Sequence, residues 1–156
     1  MFAIAVIAMI YHMFYGMQKS YGNLEGALAI MANGALILQF PLAHSFLLSK
    51  RGQKILSLLG PKDLAISLST TSFTIVASIQ LFVLFMLWSP SKIVFELPFE
   101  FLIYILPILY CLSWFLLIVA TIDAGLEVQS GALGWISVLA RKKPKFPELP
   151  TTGLYR

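Results

Sequence analysis

The stretch that decides the fold is Leu97–Ala124, LPFEFLIYILPILYCLSWFLLIVATIDA. Between Phe101 and Ala120 it carries no charged side chain, and a helix of roughly 20 apolar residues crosses the hydrocarbon core of a bilayer. Three further apolar runs precede it, which predicts spans at about 1–17, 24–48, 64–88 and 97–124. The first run is marginal in length, so the count falls to three if that run does not span. We therefore expect an all-α integral membrane bundle of about four transmembrane helices.

Composition agrees with this fold class and excludes others. The chain has 156 residues, of which 59% are hydrophobic and 12% charged, and its mean hydropathy is +0.86. A soluble domain averages roughly 25% charged residues, so this chain has too little charge to cover a globular surface. An ordinary soluble enzyme, a disordered tail and a nucleic-acid-binding module are excluded. The single cysteine, Cys111, is interpreted as a small buried hydrophobe, and the few Cys and His residues predict no metal site.

Basic residues are distributed unevenly along the chain. Nine of the eleven lie between the second and third spans or beyond the fourth, whereas Lys19 and Lys92 lie elsewhere. The positive-inside rule places both basic regions in the cytoplasm, so we expect cytoplasmic N- and C-termini in a bacterial inner membrane. If the first run does not span, the N-terminus lies outside and the other assignments are unchanged. A transmembrane domain over 1–130 is then followed, over 131–156, by an interfacial segment and a basic cytoplasmic tail. Its apolar stretch Gly131–Ala140 is too short to span, which predicts an interfacial helix or a continuation of the fourth helix.

Local signals mark where the helices begin and end. Asp63 is the predicted N-cap of the third span, Ser89-Pro90-Ser91 ends that span, and Pro107 is expected to kink the fourth. Asp123 and Glu127 are four residues apart and are predicted to face the same way. Such a pair of carboxylates can perform acid–base chemistry, hold a cation or pair with the basic tail.

Polar residues inside the predicted spans are costly in hydrocarbon, so each is expected to be hydrogen-bonded to another group or to have a function. In the second span these are Asn33, Gln39 and His44, and His44 is interpreted either as a ligand contact or as a packing residue. His12 in the first run is expected to be a packing or interfacial residue. The third span carries small hydroxyl residues at i, i+4, i+7 and i+11, which predicts a face that packs against protein. These residues are Ser67, Thr71, Thr74 and Ser78.

Two segments are familiar in combination. One is QFPLAHSFLLSKRG over 39–52, and the other is DAGLEVQ over 123–129, followed by GALGW over 131–135 and PTTGLYR over 150–156. Together they resemble the isoprenylcysteine carboxyl methyltransferase-like superfamily, which includes the bacterial NnrU-like and thiol S-methyltransferase-like membrane proteins. The resemblance covers roughly residues 24–156.

The resemblance implies S-adenosylmethionine-dependent methyl transfer if the chain continues beyond Arg156. In that family an R-H-P or R-Q-P motif, further spans and an acidic pair follow the G-x-Y-R segment, and they complete the cofactor site. We therefore expect the chain as given to resemble the N-terminal half of such an enzyme, with no bound cofactor and no assignable catalytic residue. The implied site residues are Gly153, Tyr155 and Arg156 for the cofactor, and Gln39, His44 and Ser45 for the acceptor cavity.

The alternative hypothesis is a non-catalytic accessory subunit. It would pack its hydroxyl face and its aromatic surfaces against a larger respiratory or photosynthetic membrane complex. A small transporter is the least favoured hypothesis, because the spans show no duplicated pattern. All three hypotheses imply a lipid bilayer as partner, leave room for other membrane subunits and involve no nucleic acid.

Overall fold

A computed structural model describes residues 1–60, 64, 68–93 and 98–145. Over these residues the chain is all-helical and contains no strand, which confirms the predicted fold class. The described helices are α1 (Phe2–Phe14), α2 (Gly26–Leu48), α3 (Lys50–Ser57), α4 (Ser69–Leu87), α5 (Leu102–Asp123), α6 (Leu126–Gln129) and α7 (Ala132–Leu139).

Three of these helices are long and apolar enough to cross a membrane. Helices α2, α4 and α5 contain 23, 19 and 22 residues, which at about 1.5 Å per residue approaches or exceeds a hydrocarbon core of about 30 Å. Helix α1 has 13 residues and reaches only about 20 Å. Of the two predicted counts, the described helices support three spans accompanied by a shorter apolar helix.

Helix α1 and the loop that follows it together connect the two ends of the bundle. Its first residue, Phe2, lines the same cleft as Leu126 and Gln129, which follow α5. At its other end the chain meets the C-terminus of α4, where Tyr21 N–H donates to the Met86 carbonyl over 2.8 Å. The N-terminus of α1 therefore lies at the end of the bundle where α5 finishes.

Helix α4 is the centre of the bundle, because α1, α2, α3 and α7 all pack against it. Its buried residues include Thr71 and Ser78, and half-buried Thr74 lies beside Gly131. The prediction that the hydroxyl face meets protein is therefore confirmed for these residues, while Ser67 lies outside the described residues. That face is occupied within the chain, so it is not the surface that an accessory subunit would offer to a partner.

The described part of α4 lies within the predicted third span. It begins at Ser69 with Leu68 at its N-cap position, and the expected cap Asp63 lies outside the described residues. It ends at Leu87, immediately before the Ser89-Pro90-Ser91 segment, as predicted. Pro107 lies inside α5, which stays helical through it.

The segment after α5 turns away from that helix. Gly125 and Gly131 have φ angles of +86° and +72°, in a left-handed region that favours glycine. These two turns separate α5, α6 and α7, so α7 is not a continuation of the fourth span. They also correct the prediction for Asp123 and Glu127: the helix breaks between them, and their spacing does not place them on one helical face.

Candidate functional site

The α2–α4 interface holds a reciprocal pair of glutamines. Gln39 Nε2 donates to the Gln80 carbonyl over 3.3 Å, and Gln80 Nε2 donates to Gln39 Oε1 over 2.9 Å and to the Gln39 carbonyl over 3.4 Å. Polar groups in a bilayer core find no water, so each amide uses the other helix. Gln39, one of the predicted acceptor-cavity residues, thus joins α2 to α4.

His44 lies on the same side of α2, nearer the helix C-terminus. Its ring packs against Phe40 at 5.4 Å and edge-on against Phe73 of α4 at 4.7 Å between ring centroids. Its Nδ1 atom is buried and has no hydrogen-bond partner. Ser45 is exposed on the surface of α2. Of the predicted acceptor residues, the structure thus brings Gln39 and His44 against α4 and leaves Ser45 outside that interface.

The predicted cofactor residues Gly153, Tyr155 and Arg156 lie outside the described residues. Across the described part of the chain, no group of three or more His, Cys, Asp and Glu side chains is arranged to hold a metal ion. His12 is buried against the chain, and its Nδ1 lies 3.3 Å from Ser20 Oγ, so the packing interpretation of this residue is confirmed.

Asn33 fixes the end of the bundle where α4 finishes. Its Nδ2 donates to the Ser89 carbonyl, and its Oδ1 accepts from the Ser89 N–H, both over 2.9 Å. Gly22 N–H donates to the Trp88 carbonyl over 3.0 Å, which satisfies a carbonyl at the C-terminus of α4. We call this region, residues 15–25 and 88–93, the loop end.

An ion pair completes the loop end. Lys92 donates a hydrogen bond to Glu25 at the start of α2. This bond and the charge of the lysine lower the pKa of the Glu25 carboxyl. Both side chains are largely exposed, and exposed pairs of this kind contribute little to stability. A cavity of about 430 Å³ lies beside the pair and beside Asn33.

The opposite end of the bundle carries most of the described cations, and we call it the basic end (residues 49–60 and 124–145). Helix α3 buries Gly52 and Leu56 against the bundle. Its basic side chains are exposed, as are those that follow α7. The two groups are Lys50, Arg51 and Lys54 in α3, and Arg141, Lys142, Lys143 and Lys145 after α7.

Helix α7 holds the second group near α4. Gly134 lies so close to Thr71 and Leu68 that a Cβ atom built on it would be 2.9 Å from Leu68 Cδ2 and 3.0 Å from Thr71 Cβ. Gly131 is similarly close to Thr74, since a Cβ atom built on it would be 3.2 Å from Thr74 Cβ. The two glycines, three residues apart, let the backbone of α7 approach the N-terminal part of α4.

Helix α5 is the least packed of the three spans. It contains no buried residue, and it meets α1 through a 2.6 Å hydrogen bond from Tyr110 Oη to the Ile10 carbonyl. An open cleft of about 330 Å³ separates the two helices around Val6 and Trp114. Cys111 is exposed on α5, so the prediction of a buried cysteine was wrong.

No family model, curated protein or solved structure matches the chain.

Three contacts that organise these sites were not predicted from the sequence. They are the close approaches of Gly52 and Gly134 and the pairing of Asn33 with Ser89. The sequence identifies Asn33 as an intramembrane polar residue. It does not identify the partner, because Asn33 bonds the backbone of Ser89 and every residue has a backbone. The sequence does not show which glycines lie at helix crossings, because this depends on the register of the two helices that cross.

Proposed function

We propose that this chain is a non-catalytic subunit of a larger membrane assembly. The observation that carries the proposal is α5, which has the length and hydropathy of a membrane span but buries no residue within the chain. Transmembrane helices associate through close packing and interhelical hydrogen bonds. Helix α4 satisfies this rule inside the chain, whereas α5 has one hydrogen bond to α1 and a long free surface.

The intramembrane polar residues support the non-catalytic part of this proposal. Such residues are the first candidates for a functional site in a membrane. Here Asn33 is engaged with Ser89, and Gln39 with Gln80. These hydrogen bonds join α2 to α4 and to the residue that follows it, while Asn33 also borders the cavity of the loop end and Gln80 Oε1 accepts no hydrogen bond.

The free surface of α5 provides the test. Ile108 and Phe115 are 65% and 61% exposed and lie seven residues apart, on one helical face. We expect Ile108→Ala and Phe115→Ala together to release the chain from its assembly on a native gel of mild-detergent extracts. The matched control is Leu28→Ala with Ile30→Ala on α2, where the side chains are similarly exposed. Equal migration of all three forms at the mass of a single chain in its micelle contradicts the proposal.

A photo-crosslinker attached to Cys111 gives a second measurement in native membranes. We expect one adduct of discrete mass, formed with a partner that also co-purifies in constant ratio, and its loss in the Ile108→Ala and Phe115→Ala variant. Adducts with lipid alone, or with a second copy of this chain, overturn the proposal.

We also infer that the basic end faces the cytoplasm. The support is charge: seven described cations lie at that end, against Lys19 and Lys92 at the loop end. Connections rich in Lys and Arg remain cytoplasmic during membrane insertion.

The methyltransferase hypothesis is a second proposal, favoured by one observation. The buried Nδ1 of His44 has no partner, which leaves it available to a bound acceptor. In a chain extended beyond Arg156, His44→Phe is expected to raise the KM for the acceptor and to leave S-adenosylmethionine binding unchanged. An unchanged KM contradicts this role, and the subunit proposal does not depend on it.

A further inference from the structure

We propose that α3 is a binding platform for anionic phospholipid headgroups. The inference goes beyond the subunit proposal, because it concerns the lipid partner of the basic end. It combines the position of α3 after a span, the corner that fixes its direction, the arrangement of its side chains and the absence of acidic partners for its cations among the described residues.

Helix α3 begins immediately after a span. Helix α2 ends at Leu48 and α3 begins at Lys50, so Ser49 alone separates them. Because α2 is about as long as the hydrocarbon core is thick, this corner lies at the level of the lipid headgroups.

The corner is held by three local contacts. Ser49 Oγ accepts a hydrogen bond from Gly52 N–H over 3.2 Å, and Gln53 Nε2 donates to the Leu47 carbonyl over 3.3 Å. A Cβ atom at Gly52 would lie 2.7 Å from the Leu47 carbonyl oxygen, so only glycine fits there. The extended backbone of Ser49, with ψ of 161°, prevents α3 from continuing along the axis of α2.

The side chains of α3 divide as in a helix that lies at a membrane surface. Gly52 and Leu56 face the bundle and are buried. Lys50, Arg51 and Lys54 occupy positions i, i+1 and i+4 on the other side and are exposed. Interfacial helices of this kind place cations at the phosphates and apolar side chains below them.

Exposed apolar side chains accompany these cations. Ile55 is exposed within α3, and Leu58 and Leu59, just beyond it, are 78% and 64% exposed. A soluble acidic protein or a nucleic acid would recognise the charges but would leave these side chains in water. A bilayer surface accommodates both, because the acyl chains begin directly below the headgroups.

The charges of α3 are not neutralised within the described chain. None of Lys50, Arg51 and Lys54 forms an ion pair with a described residue, whereas Lys92 at the loop end is paired with Glu25. The cations after α7 add to the positive potential of the same end. Anionic headgroups offer the complementary charge, and each added Lys or Arg near such a surface strengthens binding by about fivefold.

Lipid retention by the full-length chain tests this proposal. The protein is placed in nanodiscs that contain equal amounts of phosphatidylglycerol and phosphatidylcholine, and native mass spectrometry counts the lipids that remain bound after release. The variant is Lys50→Gln with Lys54→Gln, and the matched control is Lys19→Gln with Lys92→Gln, which removes the same number of charges at the loop end. Inorganic phosphate at the same concentration is added as a competitor.

We expect the native chain to retain phosphatidylglycerol preferentially. The α3 variant should lose most of this preference, by up to about 25-fold for two charges, and the control should keep it. Phosphate should not displace the lipid, because it lacks the acyl chains that Ile55 and Leu59 contact. Equal retention of the two lipids by the native chain, equal loss in both variants, or displacement by phosphate overturns the proposal.

A second variant separates lipid binding from bulk charge. Ile55→Ser with Leu59→Ser keeps every cation but removes the apolar strip. We expect it to bind phosphatidylglycerol less tightly while it binds soluble heparin as well as the native chain does. A native chain that prefers heparin to phosphatidylglycerol identifies a soluble polyanion as the partner and overturns the proposal.

Discussion

The docking of α7 onto α4 gives a prediction whose magnitude follows from the structure. Thr71 is 2% exposed, and Gly134 lies against it with no room for a side chain. In Gly134→Ala, the new Cβ would stand 2.9 Å from Leu68 Cδ2, 3.0 Å from Thr71 Cβ and closer still to Thr71 Oγ1. Carbon atoms pack at about 3.5–4.0 Å, so α7 must move away from α4.

Two opposing effects determine the free energy of unfolding in this variant. Overpacking a close contact costs about 1–3 kcal/mol, and replacing a helical glycine by alanine returns up to about 1 kcal/mol. Gly34→Ala in α2 isolates the second effect, because no atom lies within 4 Å of its new Cβ. We therefore expect Gly134→Ala to be less stable than Gly34→Ala by about 1–3 kcal/mol, the full cost of the contact.

Trp135, the neighbour of Gly134, provides the assay. With Trp88 and Trp114 replaced by Phe in all forms, its emission reports whether α7 is docked while dodecyl sulfate unfolds the protein in mixed micelles. Thr71→Ala combined with Gly134→Ala should recover part of the loss, because it removes the closest atom, Oγ1. The reasoning is refuted if Gly134→Ala unfolds at the same detergent fraction as Gly34→Ala.

Three further predictions address topology, the α2–α4 interface and the cofactor. Single cysteines at Lys54 and Ser91 in a Cys111→Ser background should react with impermeant maleimide from opposite sides of the membrane, and reaction from one side contradicts the assigned topology. A double-mutant cycle of Gln39→Leu and Gln80→Leu should give a coupling energy of about 0.6–1.7 kcal/mol, whereas additive effects would show that the pair does not join the helices. Calorimetry of the 156-residue chain with S-adenosylmethionine should detect no stoichiometric binding, and a micromolar site would show that these 156 residues already suffice to bind it.

Hydropathy was enough to locate the spans, because crossing a bilayer demands a long uncharged helix wherever it occurs. Helix α2 occupies Gly26–Leu48 and α5 occupies Leu102–Asp123, close to the predicted 24–48 and 97–124. The described part of α4 begins at Ser69, inside the predicted span 64–88. Composition measures the affinity of a segment for lipid and does not locate a cap.

Contacts between helices were beyond the reach of the sequence. The hydroxyl face of α4 was predicted correctly as a packing surface, because small residues on one helical face allow close approach. Its actual partners include Gly131 and Gly134, which lie in a segment predicted only to be interfacial or helical. The error at Asp123 and Glu127 has the same origin: spacing places residues on one face only while the helix continues, and Gly125 interrupts it.

Polar contacts between helices set the register of α2 against α4. Asn33 with Ser89, and Gln39 with Gln80, join α2 to α4 at two separate levels. Sliding α2 by one helical turn of about 5.4 Å would leave these groups without partners, and each unsatisfied group in hydrocarbon costs several kcal/mol. Helix α5 donates one side-chain hydrogen bond to α1, from Tyr110, and one such bond does not by itself fix the rotation or register of the two helices. In the proposed assembly, a partner packed on the exposed face of α5 would supply this constraint, which is the physical reason for the subunit proposal.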